Sequence, residues 1–219
     1  MELSAQLFPI NWLWVLAAGL LPVYWYALRW ADFGRLQRDG VSGAYFGSIV
    51  VLLMIWALRT EIQPGIVWHL GGMVFMTLAW GWSLALLGGL LAQVGLAFAG
   101  IHDWVSGIPT LWVLVVLPAA ITQLVLGLVR AYLPKHFFVY VFVDAFFCGA
   151  LVSALTVFAS VGLLVASENA WTSLRDEVLA LIPLMLFPEA FLNGMIITML
   201  VALRPQWVWS FRDEEYLSR

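Results

Sequence analysis

The chain has 219 residues, of which 63 % are hydrophobic and 11 % charged, with a formal net charge of −3. A soluble domain carries about 45–50 % apolar and about 25 % charged residues, so a soluble fold is excluded and the implied solvent is lipid. The weak negative charge points away from nucleic acid, which selects basic surfaces, and the single Cys148 excludes an intrachain disulfide framework.

The first apolar stretch, 11–29, has no Lys or Arg before it and Arg29, Arg35 and Arg38 after it. A cleaved signal peptide needs a basic n-region, so a retained helix with its N-terminus outside is expected. Further stretches follow at 41–58, 65–80, 83–100, 109–130, 137–166 and 178–203. Most suit a hydrocarbon core that takes about 20 helical residues. Gly65 to Gly100 carries no charge and as one helix would be roughly 54 Å long, so it is divided at Trp80-Gly81-Trp82-Ser83. Stretch 137–166 is long for one crossing, which predicts a tilted or kinked helix. Pro22, Pro118 and Pro183 are expected to kink their helices. Gly43/Gly47 and Gly88/Ala92 form small-residue pairs that permit close helix approach. The thirteen Trp suit the headgroup level, where an indole is half wet.

The expected architecture is all-α: one domain over 1–219, about seven transmembrane helices, N-terminus outside and C-terminus cytoplasmic. Charge supports it. The cytoplasmic segments then hold Arg29, Arg35, Arg38, Arg130, Lys135, Arg204, Arg212 and Arg219, and the outer ones only Arg59 and Arg175. A bias of this sign is what the positive-inside rule requires. The longest outer loop is expected at Ser167–Glu177, with Glu168, Asp176 and Glu177.

No Walker P-loop, HExxH, GxSxG or CxxC motif is present, which argues against an enzyme and leaves any ATP-driven step to another protein. Polar residues within the apolar stretches are costly unless satisfied. Asp144 lies in the sixth, and Glu189 and Asn193, four apart on one face, in the seventh. They read either as an intramembrane ion or proton site or as a clamp fixing helix packing. On the outer side, His69 follows a Pro64-Gly65 pair suited to starting a helix, and His102-Asp103 lies between the fourth and fifth stretches. Glu2, Glu61 and the α-amino group share that side. Imidazole, carboxylate and amine together bind transition metals; a lone outer histidine is also a common interfacial hydrogen-bonder. His69, Met73 and Met76 share a helical spacing that would suit copper(I), and methionine also fills packing gaps with no chemical role.

Phe187-Pro188-Glu189-Ala190-Phe191-Leu192-Asn193-Gly194-Met195, Arg204-Pro205-Gln206-Trp207-Val208 and Pro134-Lys135-His136-Phe137-Phe138-Val139-Tyr140 resemble a family of bacterial energy-coupling factor transporter permeases, related to the cobalt and nickel substrate components CbiM and NikM. The resemblance implies a seven-helix bundle in the bacterial inner membrane that captures a substrate and pairs with a transmembrane coupling protein and cytoplasmic ATPases. It also implies a metal held by an amino-terminal Met-His and a histidine near the outer end of a later helix. His69 of Trp68-His69-Leu70-Gly71-Gly72 matches that later histidine, but the chain begins Met1-Glu2-Leu3. Without an imidazole at position 2, the square-planar nitrogen site of those relatives cannot form in the same way.

The leading expectation is a transporter subunit capturing cobalt, nickel or copper, with His69 as anchor and His102 and Asp103 as partners. The alternatives are a stand-alone metal-handling protein, for example for copper delivery, and, weakest, an intramembrane enzyme.

Overall fold

A computed structural model describes residues 2–38, 40–167 and 175–216, apart from the side chains of Gln63 and 175–181. Glu168, Arg219 and the α-amino group of Met1 lie outside the described residues, as do the side chains of Arg175, Asp176 and Glu177.

The elements in chain order are β1 (Glu2–Leu3), α1 (Ile10–Trp30), α2 (Val41–Ala57), β2 (Thr60–Gln63), β3 (Ile66–Trp68), α3 (Met73–Trp80), α4 (Trp82–Phe98), α5 (Gly107–Tyr132), α6 (Phe137–Ala166) and α7 (Arg175–Leu203). Among the described residues, four helices are long and apolar enough to cross a membrane: α1, α5, α6 and the Ile182–Leu203 part of α7. α2 and α4 are shorter apolar helices. Trp14, Leu21, Trp25 and Leu28 of α1 are exposed, an outward apolar face of the kind lipid covers. α5 and α6 each contain a π-helical turn, Leu111–Val116 and Tyr140–Phe147. The long sixth stretch is thus one helix with a local irregularity, as expected of a kinked segment.

The third stretch departs from expectation. Residues 65–80 do not form one helix. Thr60, Ile62, Ile66 and Val67 favour extended backbone, and Pro64-Gly65, expected to start a helix, instead turns a hairpin, with Gly65 at φ +82°. β1 adds to the other edge of β3, pairing Glu2 with Val67 and Leu3 with Ile66 in a three-stranded antiparallel sheet of order β1-β3-β2. The chain stays non-helical to Gly72, and α3 is only eight residues long. The three strand residues Ile66–Trp68 and four further non-helical residues, the last of them Gly72 at φ +68°, lead into α3. Irregular backbone at membrane depth is tolerated where protein surrounds it. Every residue of α3 is buried, and none from Ile66 to Gly72 is exposed.

Other elements satisfy both ends of α3. At its N-terminus, Gly71 and Gly72 N–H donate to Glu189 (2.7 and 2.8 Å) and Phe75 N–H to Asn193 Oδ1 (2.8 Å). At its C-terminus, the Ala79 carbonyl accepts from Trp209 N–H (2.8 Å) and the Arg35 guanidinium (3.1 Å). The Leu78 carbonyl accepts from the Ser210 hydroxyl (2.8 Å) and amide (3.1 Å). α3 therefore links an end bearing Glu2, Arg59 and His69 to an end bearing Arg35, Arg130 and Ser210. Gly81, at φ +82°, makes the sharp turn into α4 that Trp80-Gly81-Trp82 predicted.

α4 packs tightly against the π-helical turn of α5. A Cβ on Gly89 would lie 2.6 and 3.0 Å from the Val115 methyls, and a β-branched side chain has little freedom to yield. Gly89→Ala is expected to cost about 1–3 kcal/mol, read as a lower thermal midpoint in detergent. Gly88 meets only the flexible end of Met76 at 2.6 Å, so Gly88→Ala is expected to cost less. Among the described residues nothing lies within 4 Å of a Cβ placed on Gly43 or Gly47, so that pair packs against none of their helices.

Candidate metal centre

The sheet places residue 2. β1 holds Glu2 against β3, one residue before the segment carrying His69, and both side chains are buried (4 % and 3 % exposed). His69 Nδ1 lies 3.0 Å from the Leu70 carbonyl. A carbonyl only accepts, so Nδ1 carries the proton and Nε2 presents its lone pair. Nε2 has no hydrogen-bond partner among the described residues and stands 3.7 Å from Glu2 Oε2. Two bonds of about 2.1 Å to one ion span such a gap at an angle near 120–125°. Two lone-pair groups face each other here at a distance a metal ion can bridge.

Glu2 also has a cation of its own. Arg59 Nη1 donates to Glu2 Oε1 (3.1 Å) and Oε2 (3.0 Å). The guanidinium cancels the carboxylate's charge and competes with any metal for its oxygens.

The other residues expected on the outer side stand at a rim near Glu2. Glu2, Arg59, Glu61, His102, Asp103 and Ser106 line a surface cavity of about 270 Å³. His102 Nδ1 meets the Asp103 carbonyl at 2.7 Å, and Nε2 is buried without a partner among the described residues. The Asp103 carboxylate is engaged in its own loop. It accepts from the Val105 amide (2.7 Å), the Ser106 amide (3.2 Å) and, in a short bond, the Ser106 hydroxyl. Burial pulls its pKa up, but these bonds outweigh it and hold the carboxyl below its ordinary value. Their contribution to stability is therefore full above the ordinary carboxyl pKa of about 4 and is lost only as pH falls through the lower folded value. Ser106 Oγ in turn accepts from Ala5 N–H at 2.8 Å, tying this loop to the N-terminal segment. Among the described residues, no three or more His, Cys, Asp and Glu side chains gather as a metal-holding group. Glu2 and His69 are a pair.

Beside His69 lies a small cavity of about 30 Å³, lined by His69, Met73, Met185, Ser153, Thr156 and Glu189 among others. Met73 and Met76 still share a helix face, with Met76 Cε towards Gly88 and Met73 Sδ towards Gly89 of α4. His69 is not on that helix, because 69–72 is not helical.

Glu189 and Asn193 come together as their spacing predicted. Asn193 Nδ2 donates to the carbonyl and to Oε1 of Glu189, both at 2.8 Å. Their remaining acceptors serve the N-terminus of α3, the geometry of a helix cap supplied from another helix. Asp144 does not join them. It is 1 % exposed, with both carboxylate oxygens unpartnered among the described residues.

Sequence reasoning set Glu2 on the same side as His69 but chose His102 and Asp103 as the partners of His69. A single carboxylate next to the start of the chain carries no motif, and only β1–β3 pairing aims it at His69. The family model for CbiM, the cobalt uptake substrate-specific transmembrane region, matches residues 2–207.

The chain belongs to the CbiM family. The resemblance drawn from 134–140, 187–195 and 204–208 is thereby borne out, and the chain is a multi-pass membrane protein. A solved structure described as a truncated transition metal transporter shares the fold, with a TM-score of 0.78 over 92 % of this chain and 99 % of that one at 13 % identity. No curated protein matches the sequence. The side chain facing His69 in this CbiM-family chain is a carboxylate, Glu2.

Proposed function

We propose that this CbiM-family chain is the substrate-capturing subunit of an energy-coupling-factor-type transporter, taking a transition-metal ion from the outer face of a bacterial inner membrane. Seven crossings with the N-terminus outside put Glu2, His69 and His102 on the capture side. The same arrangement puts Arg35, Arg130, Lys135 and Arg212 on the cytoplasmic side, where a coupling protein and ATPases would dock. The family supports the transport reading, and the charge bias supports the sidedness. The observation that carries the reading is the His69 Nε2 lone pair facing Glu2 Oε2 at 3.7 Å. Glu2 and His69 supply two ligands, and water and groups at the rim complete the coordination.

Metal bound to purified protein, together with any ATPase subunits that co-purify, tests this directly. Protein that takes up no cobalt, nickel or copper sinks it. Arg59 provides a sharper test. Metal binding must release Glu2 from the guanidinium, so Arg59→Ala is expected to raise affinity for a divalent ion at least tenfold, about 1.4 kcal/mol. Titration in lipid nanodiscs reads this change, and lower affinity in that variant would contradict the competition.

A further inference from the structure

At the end of the bundle away from His69, two cavities share one wall, the indole of Trp209. The first, of about 310 Å³, is cationic. Arg130, Lys135 and Arg212 line it together with one carboxylate, Glu215. Lys135 and Arg212 both turn to that carboxylate, at 2.8 and 3.4 Å. Arg130 is in ion-pair contact with no carboxylate among the described residues. One hydrogen bond to the Ser210 carbonyl (2.6 Å) and the Trp209 ring (5.9 Å) hold its guanidinium in place. The neighbouring acids Asp213 and Glu214 line a different cavity. Three cations thus face one carboxylate, and the unused N–H groups of Arg130 have the fork geometry that phosphate oxygens match.

The second cavity, of about 480 Å³, is a groove between α1, α4 and α5. Tyr26, Trp30, Trp82, Leu84 and Ala120 give it aromatic and apolar walls. Tyr26 and Trp30 are exposed, so the groove opens on the apolar face of α1, at the Trp- and Tyr-rich level where lipid headgroups lie. Its carboxylate, Asp32, accepts from Arg35 N–H (3.0 Å) within its own short turn, and an anion is drawn to Arg130 rather than here. An occupant of both cavities needs an anionic head and an apolar tail joined across Trp209. A soluble anion fits only the first cavity and an apolar peptide only the second.

We propose that the two cavities together bind one anionic phospholipid. Its phosphate lies on Arg130, Lys135 and Arg212, and an acyl chain runs in the groove past Trp82 and Ala120. Basic pockets at the ends of membrane helices take anionic headgroups in this way. The site is independent of the metal reading.

Phosphatidylglycerol is the probe. Phosphatidylcholine, whose phosphate is offset by a cation of its own, is the comparison. Each is titrated into delipidated protein in detergent, and bound lipid is counted by native mass spectrometry. Phosphatidylglycerol is expected to bind at least tenfold more tightly, and Arg130→Gln to abolish that preference. Because Arg130 also holds Ser210, a second variant leaves that bond intact. Ala120→Trp, at an exposed position, fills the groove and is expected to weaken phosphatidylglycerol binding at least tenfold with the thermal midpoint retained. Arg204→Gln removes the same charge beside Trp207, outside both cavities, and should bind as the parent does. Equal binding of the two lipids by the parent overturns the proposal, as does a preference that survives Arg130→Gln or binding that survives Ala120→Trp. Displacement of phosphatidylglycerol by inorganic phosphate would make the cationic cavity a free-phosphate site and overturn it too.

Discussion

His69→Ala is expected to lower metal affinity by roughly 100-fold or more, since even losing a group that only orients a ligand costs about 10–100-fold. The Leu70 carbonyl fixes the imidazole tautomer, so Nε2 is the ring atom that can offer a lone pair to an ion shared with Glu2. His136→Ala is the matched control. Its Nδ1 accepts from Phe138 N–H in the segment before α6, at the end opposite His69, and metal titration of that variant should match the parent. Glu2→Gln should also lose affinity, because the amide brings no charge. Glu2→His restores a nitrogen ligand at the strand position facing His69 and is expected to shift preference towards nickel or cobalt. Equal metal content in His69→Ala and parent protein, both folded, would remove the anchor of the functional proposal.

Glu189→Ala is expected to be among the most destabilising single changes. The carboxylate accepts from Gly71 N–H, Gly72 N–H and Asn193 Nδ2. Each buried donor left without a partner costs about 1–3 kcal/mol. The small cavity beside Glu189 would grow and admit water to part of the gap, so the expected net loss is about 3–5 kcal/mol. It should appear as a thermal midpoint lower by roughly 10 °C in detergent. Glu189→Gln keeps one acceptor oxygen and should lose about half as much. Asn193→Leu should also destabilise, by stranding Phe75 N–H and one hydrogen bond of Glu189. A Glu189→Ala protein as stable as the parent would show that α3 does not depend on this cap. Gly71 is two residues from His69, so the same variant should also loosen the metal centre, and metal affinity is the second readout.

Much of the architecture was legible in the chain because bilayer physics writes on composition. Long apolar runs, the grouping of Arg and Lys and the Trp80-Gly81-Trp82 turn all follow from what lipid and headgroups tolerate, whatever the neighbours are. The i, i+4 spacing of Glu189 and Asn193 likewise placed them on one face. The segment 60–72 was not legible in this way. Its apolar character is common to a membrane helix and a protein-buried strand, and periodicity does not separate the two. His69 consequently left the face that Met73 and Met76 share, and Met185, 116 positions away from His69, joined the cavity lining.

By itself, then, the sequence determined a multi-pass helical membrane protein of the CbiM family and singled out His69 as the candidate anchor, because hydropathy, charge bias and short motifs are local properties. Only the tertiary structure decided that Glu2 faces His69, that Arg59 holds Glu2, and that Glu189 and Asn193 cap α3. Each of these depends on strand pairing or helix contact between residues far apart in the chain, and no local pattern encodes which distant partner a buried polar group will find.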